Sequence, residues 1–328
     1  MERETYLSQE LDVAGQRAKY DDHVKRLLSD KGILAYILIY AVEEFKGYTF
    51  EEAKAAIEGE PEVASRGVYP GTGQEPEAIR GEKTESSIPG EGKMLFDIVF
   101  FARTKYKEKQ KIYVNLEAQN SFYPGYDLVT RGVIYGARLL SEQMDIEYTS
   151  TNYDGAKKVY SIFICMNTPE KNKQQEDVSD TIVKYSMQPE ILYQSELDHP
   201  VAVGRYDLLS VVFICLADDA TVASDNKLIG MLSTLLSAKL SVVNKKDSLE
   251  MKYGLPMTIS MEKECIDMCN LSQGILEQGI EQGELKKAKE TALSLAEMGL
   301  SIDNIAKAVK IDADVVQSWI NENTAVAN

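Results

Sequence analysis

The sequence predicts an α/β protein that ends in a helical tail, and three observations carry that expectation. Apolar residues recur at helical spacing over residues 20–46: Val24, Leu27, Leu28, Leu34, Ile37 and Leu38. The period then shortens to two. Ile112, Val114, Leu116 and Ala118 alternate with Tyr113, Asn115, Glu117 and Gln119, as in a half-buried strand. Short apolar runs at 159–166 and 208–217 follow, each the length of a buried strand.

Taken in order, residues 20–46 form a helical region. A second short helix begins at Thr49, whose hydroxyl can cap it, with Glu51 and Glu52 in its first turn. Residues 61–92 carry four prolines and six glycines and form a long loop. Residues 94–102 (MLFDIVFFA) are apolar on both faces except at Asp97, the mark of a central strand. Residues 103–111 connect it as a hairpin to the strand at 112–119. Pro124 opens a helix reaching about Gln143. Helices follow at 226–243 and 257–271. Gly274, Gly279 and Gly283 then predict a frayed helical arm, since each costs about 1 kcal/mol against alanine. Residues 285–321 have the rhythm of three short helices, with Gly299 ending one and Ser301 and Asp312 capping the next two.

Composition narrows the function classes. The 328 residues suit about two domains, and 44 % hydrophobic content suffices for a sizeable core. With 36 Lys+Arg against 52 Asp+Glu the net charge is −16, so nucleic acid can be met only through a local patch. Two histidines, His23 and His199, exclude a metal site built on several imidazoles. The four cysteines form no C-x-x-C pair, as expected of a reducing compartment, and Cys265 and Cys269 lack the further ligands a zinc site needs. Residues 1–12 are polar and acidic with no apolar h-region. The longest apolar run, residues 33–42, is half of the ~20 residues that a membrane span requires. The expectation is a cytoplasmic protein without membrane contact.

The constellation that can carry chemistry is Asp97, set in LFDIVFF, with Glu117 and Gln119 on the next strand. An ionised carboxylate in an apolar strand is expensive unless a charge meets it. Glu117 and Gln119 are two apart and leave the same face. In an antiparallel hairpin Asp97 and Glu117 lie side by side, and a divalent cation relieves their repulsion. A salt bridge or a protonated acid at a strand end explains Asp97 equally well.

The order of elements, with Asp on one strand and Glu-x-Gln on the next, resembles the PD-(D/E)XK (restriction-endonuclease-like) superfamily. More narrowly, the chain resembles its bacterial recombination-promoting nuclease and putative transposase family. The segments that carry this are VKRLLSDKGILAYIL (24–38), GEGKMLFDIVFFA (90–102), NLEAQ (115–119), LVTRGVIYGARLLSEQ (128–143), KKVYSIFICMNTP (157–169) and EKECIDMCNLSQGI (262–275). The resemblance implies an αβββαβ core at 20–170, a family-typical α/β extension at 171–271, and a helical arm with a three-helix tail at 272–328. It implies Asp97 and Glu117 as ligands of Mg²⁺, or of Mn²⁺ in its place. Gln119 stands where the superfamily usually has a catalytic lysine, and a neutral amide cannot stabilise hydroxide as an ammonium does. Glu43 or Glu44 would be a further carboxylate. The implied reaction is DNA phosphodiester hydrolysis associated with recombination or transposition.

Arg131 and Tyr135, four apart on the helix after the Glu-x-Gln strand, can orient a phosphate; Arg138 lies one turn on, and an Arg138–Glu142 surface pair is its plainer reading. Arg103, Lys105, Lys107, Lys109 and Lys111 alternate through the hairpin and can meet DNA phosphates, or can simply guard a solvated hairpin. The tail has a helix-turn-helix rhythm, but its presumed recognition helix, residues 312–322, contains no Lys or Arg. Packing around Trp319, or assembly of a homo-oligomer through these helices, suits it better. The rival to a nuclease is a catalytically inactive nuclease-fold protein that binds DNA or another protein. A sugar hydrolase built on paired carboxylates is a third reading, and it lacks an aromatic platform near the pair.

Overall fold

A computed structural model describes residues 6–63, 85–86, 94–105, 110–193, 204–217 and 224–326. Lys19–Cys269 form one compact unit; Met1–Ala18 and Asn270–Asn328 form another. His199, Lys107, Lys109 and most of the 61–92 loop lie outside the described residues.

The helical region at 20–46 is two helices, α1 (Tyr6–Leu28) and α2 (Lys31–Ala41). Asp30 separates them: its backbone is extended and its carboxylate accepts from the Gly32 N–H at 2.7 Å, an N-cap stronger than the apolar periodicity running through it. A 3₁₀ turn at Glu43–Phe45 leads to α3 (Phe50–Ala56), where Thr49 and Glu52 form the reciprocal capping box expected of Thr49.

Six strands form one mixed sheet: β1 (Ile57–Val63), β4 (Ile98–Arg103), β5 (Lys111–Ser121), β6 (Val159–Thr168), β8 (Leu209–Ala217) and β7 (Thr181–Ser186), in that spatial order. Strands β1, β4 and β5 pair antiparallel, β5, β6 and β8 parallel, and β7 closes the edge antiparallel to β8. The α/β class is as the sequence predicts. The segment expected as one central strand at 94–102 is broken. β3 (Met94–Leu95) pairs with β2 (Glu85–Ser86) in a separate two-stranded sheet, and Phe96 and Asp97 lie between β3 and β4. Residues 171–271 add β7, β8 and helices to the same sheet and core as the first 170.

The strand period of two sorts the sheet's faces. Ile98, Phe100, Ile112, Val114, Leu116, Tyr160, Ile162, Val212 and Ile214 point into the main core, beside Leu27, Leu28, Ile33, Leu34 and Ile37 from α1 and α2. Burying each such aliphatic side chain is worth about 2 kcal/mol. The opposite face carries Val99, Tyr113, Phe163, Val211 and Phe213 beneath α4 (Leu128–Ser141). Asp127, not Pro124, starts α4, because its carboxylate accepts from the Thr130 N–H at 2.9 Å. Gly132 and Gly136 let α4 sit close to the sheet: a Cβ at either position would collide with Val211 or Leu209.

The helix expected at 226–243 is α5 (Lys227–Leu236), and a separate α6 (Val242–Tyr253) follows, started by the Ser241 hydroxyl on Asn244 N. The expected frayed arm is instead the continuous helix α7 (Ile259–Glu297), which runs through Gly274, Gly279 and Gly283 and replaces the first of the three short helices. The glycine penalties are small against the propagation of so long a helix. Gly299, at φ +82°, ends it as expected. α8 (Ile302–Val309) and α9 (Ala313–Val326) follow, and Ala292, Ile305, Val316 and Trp319 form a small core of their own, the packing role expected for Trp319.

Candidate active site

The register of the β4–β5 hairpin sets Ile98 opposite Leu116, so Asp97 and Glu117 meet where β4 begins. Main-chain N–H groups of each segment donate to a carboxyl group of the other. Asp97 N–H donates to Glu117 Oε1 at 3.0 Å, and Ala118 N–H donates to Asp97 Oδ2 at 3.1 Å. Glu117 leaves the α4 face of the sheet with Tyr113, Asn115 and Gln119, and it is 1 % exposed. Burial, and then the neighbouring Asp97 charge, push its carboxyl up from an ordinary 4.5 to about 8.

Arg131 projects from α4 over this face. Its guanidinium donates to Glu117 Oε2 at 3.3 Å, Gln119 Oε1 at 3.1 Å, Tyr135 Oη at 3.0 Å and Tyr126 Oη at 2.9 Å. Gln119 Nε2 in turn donates to the Ser121 carbonyl at 2.6 Å. Asp97, Glu117, Gln119, Arg131 and Tyr135 are thus brought together as the sequence predicts. Tyr135 also packs edge-on against the buried Phe96, at 5.6 Å between ring centres. Burial, then the Glu117 charge, raises its phenol.

Lys25 was missed. On α1, 4 % exposed, it places Nζ 2.7 Å from Asp97 Oδ1. The only hint in the sequence is a lysine beside the apolar stripe of Val24, Leu27 and Leu28. Two carboxyl groups therefore face two cations, Lys25 and Arg131.

Other candidates lie elsewhere. Lys105 stands past the far end of β4 from Asp97; six strand residues at about 3.4 Å each put roughly 20 Å between the two ends. Its ammonium pairs with Glu52 at 2.8 Å and lies over the Tyr48 ring. The expectation that hairpin lysines stand close to the carboxylates fails for Lys105, because the turn and the site occupy opposite ends of the same strands. Arg103 and Lys111 are likewise paired, with Glu58 and Glu147. Glu44 accepts from Tyr160 Oη at 2.8 Å and pairs with Lys158, and Glu43 pairs with Lys184. Tyr160 belongs to the other face of the sheet, so neither glutamate joins Asp97.

Further along β5 the strand ends border a cleft of about 420 Å³, lined by Asn120, Ser121, Phe122, Tyr123, Asn167 and Pro169. Tyr123 is exposed, with Lys173 Nζ 4.7 Å from its ring centre. Among the described residues no group of three or more His, Cys, Asp or Glu is arranged to hold a metal ion. The pair Asp97 and Glu117 nonetheless offers hard oxygen donors, and Mg²⁺ needs only one or two carboxylates beside water and substrate oxygens. The raised carboxyl of Glu117 fits a site that gains from a nearby dication. Among the described residues no helix is long and apolar enough to cross a membrane.

No protein-family model, curated protein or solved structure matches the chain.

Proposed function

We propose that this chain is a metal-dependent DNA endonuclease of the PD-(D/E)XK kind, associated with recombination or transposition. The observation that carries this reading is the pair of carboxyl groups, one almost wholly buried, brought together where β4 begins beside the middle of β5, beneath an arginine. A buried carboxylate pair is costly to a fold and useful to a cation. Asp97 and Glu117 would hold Mg²⁺ or Mn²⁺, which when bound polarises the phosphoryl group and acidifies water. Arg131, fixed by Glu117, Tyr126, Tyr135 and Gln119, would present its one remaining N–H, on Nε, to a phosphate oxygen. Tyr123, Tyr126 and Lys173 would meet the strand beyond the scissile bond, a base against a ring and a phosphate against the ammonium.

In the reaction, a water oxygen forms a bond to phosphorus and the bond from phosphorus to one ester oxygen breaks. That oxygen leaves as a hydroxyl with a proton, and the water's proton passes to solvent or to the new phosphomonoester.

The test is cleavage of supercoiled plasmid by purified protein with and without Mg²⁺, beside Asp97→Ala and Glu117→Ala. Metal-dependent nicking that both substitutions abolish is expected. Cleavage that survives both would refute the site. The second reading is a catalytically inactive interaction protein. Its support is the −16 charge and the carboxyl pair already met by Lys25 and Arg131. A folded wild-type protein that cleaves nothing with Mg²⁺ or Mn²⁺ at low salt would establish it over the nuclease.

A further inference from the structure

We infer that Lys25 supplies the working ammonium of this site, in place of any contribution from Gln119. The inference rests on the nuclease reading above.

Gln119 is already committed. Its Oε1 accepts from Arg131 and its Nε2 donates to the Ser121 carbonyl, so the amide is held between α4 and the end of β5. Its neutrality also denies the site a charge that developing hydroxide would need.

Lys25 has the opposite properties. Its side chain is 5 % exposed, and a buried ammonium is retained only where a charge or hydrogen-bond acceptor meets it. It meets Asp97 Oδ1 at 2.7 Å, while the other oxygen of the same carboxylate accepts from Ala118 N–H. The base of its stem is fixed, since Val24, Leu27 and Leu28 around it are buried in the main core. Lys25 Nζ thus sits on Asp97 Oδ1, an oxygen that a dication held by Asp97 and Glu117 would also take. Asp97 and Glu117 would hold the dication, and Lys25, giving up that oxygen to it, would stay beside the site on its short tether. From that position it can donate hydrogen bonds to the attacking water and to a phosphoryl oxygen. The water's proton goes to solvent; Lys25 remains an ammonium throughout and stabilises the negative charge that builds on the attacking oxygen.

This predicts two effects of opposite sign, which a structural salt bridge would not give. Removing the charge takes away a competitor for the cation and a donor to the reaction. In Lys25→Met, Mn²⁺ binding to the full-length protein without DNA, followed by calorimetry or electron paramagnetic resonance, is expected to tighten about threefold or more. Plasmid cleavage at saturating Mg²⁺ is expected to fall about 100-fold. Lys25→Arg, which keeps the charge, should recover part of the rate and return Mn²⁺ affinity towards wild type. Should Lys25→Met fail to fold by circular dichroism, the arginine variant and Lys25→Gln carry the same comparison. Loss of metal binding and cleavage together would make Lys25 a structural residue and overturn the inference. Cleavage by Lys25→Met within threefold of wild type, with Asp97→Ala inactive, would overturn it while leaving the nuclease intact. A wild-type protein that neither binds Mn²⁺ nor cleaves would remove both.

Discussion

Replacing Glu117 with glutamine should change how stability depends on pH more than it changes stability at any one pH. In the unfolded chain this carboxyl loses its proton around 4.5; in the folded chain burial and Asp97 hold the proton until about 8. Below 4.5 both states carry the proton and the group contributes nothing. Between the two values the unfolded state has released a proton that the folded state keeps, so stability falls as pH rises. The slope is about 1.4 kcal/mol per pH unit, and the loss between pH 4.5 and pH 7 comes to about 3 kcal/mol. Glutamine cannot ionise, so Glu117→Gln should lack this loss. The assay is urea unfolding in EDTA at half-unit steps from pH 4.5 to 8, followed by far-ultraviolet circular dichroism, with the difference between the two proteins plotted against pH. The wild type should lose about 4 kcal/mol relative to the variant across that range, about 3 kcal/mol of it by pH 7. Parallel curves would show that Arg131 and the Asp97 N–H hold Glu117 ionised after all, and would refute the reasoning. Under the proposed function, excess Mg²⁺ in place of EDTA should flatten the wild-type slope, since a bound dication favours the ionised form.

Two further predictions follow from the packing. Gly136→Ala should destabilise the protein by about 1–3 kcal/mol, read from the urea midpoint, because the new methyl meets Leu209 and forces α4 off the sheet; an unchanged midpoint would mean that Leu209 yields freely. Asn115→Leu should stabilise it by about 1–2 kcal/mol, because both polar atoms of the Asn115 amide are buried without a partner among the described residues; a lower midpoint would show that the amide is satisfied by buried water.

Why were some parts of this molecule legible in the sequence and others not? The Asp97–Glu117 pairing was legible because it depends on one antiparallel hairpin, whose alternation fixes both face and register. Arg131 and Tyr135 followed from helical spacing once the helix after β5 was recognised. Lys25 was not legible: nothing along a helix says that a lysine beside an apolar stripe will reach a carboxylate far along the chain. The edge strand β7 (TIVKYS) is short and half-exposed, so it lacks a strong apolar pattern. Several helix boundaries were displaced for one reason. The side chains of Asp30, Asp127 and Ser241 cap their helices, and these local hydrogen bonds outweighed the apolar periodicity and proline position used to set the limits.

The hydrogen bonds from Asp97 N–H to Glu117 and from Ala118 N–H to Asp97 have a consequence for spectroscopy. Two backbone amide protons, those of Asp97 and Ala118, point at carboxylate oxygens where a strand ladder would point them at carbonyls. Their resonances are therefore sensitive to the charge on those carboxylates. In a ¹⁵N-labelled sample the pair acts as an internal voltmeter. Protonation of Glu117, arrival of a dication, or withdrawal of a neighbouring ammonium would each move these two signals in its own pattern, with no substrate present.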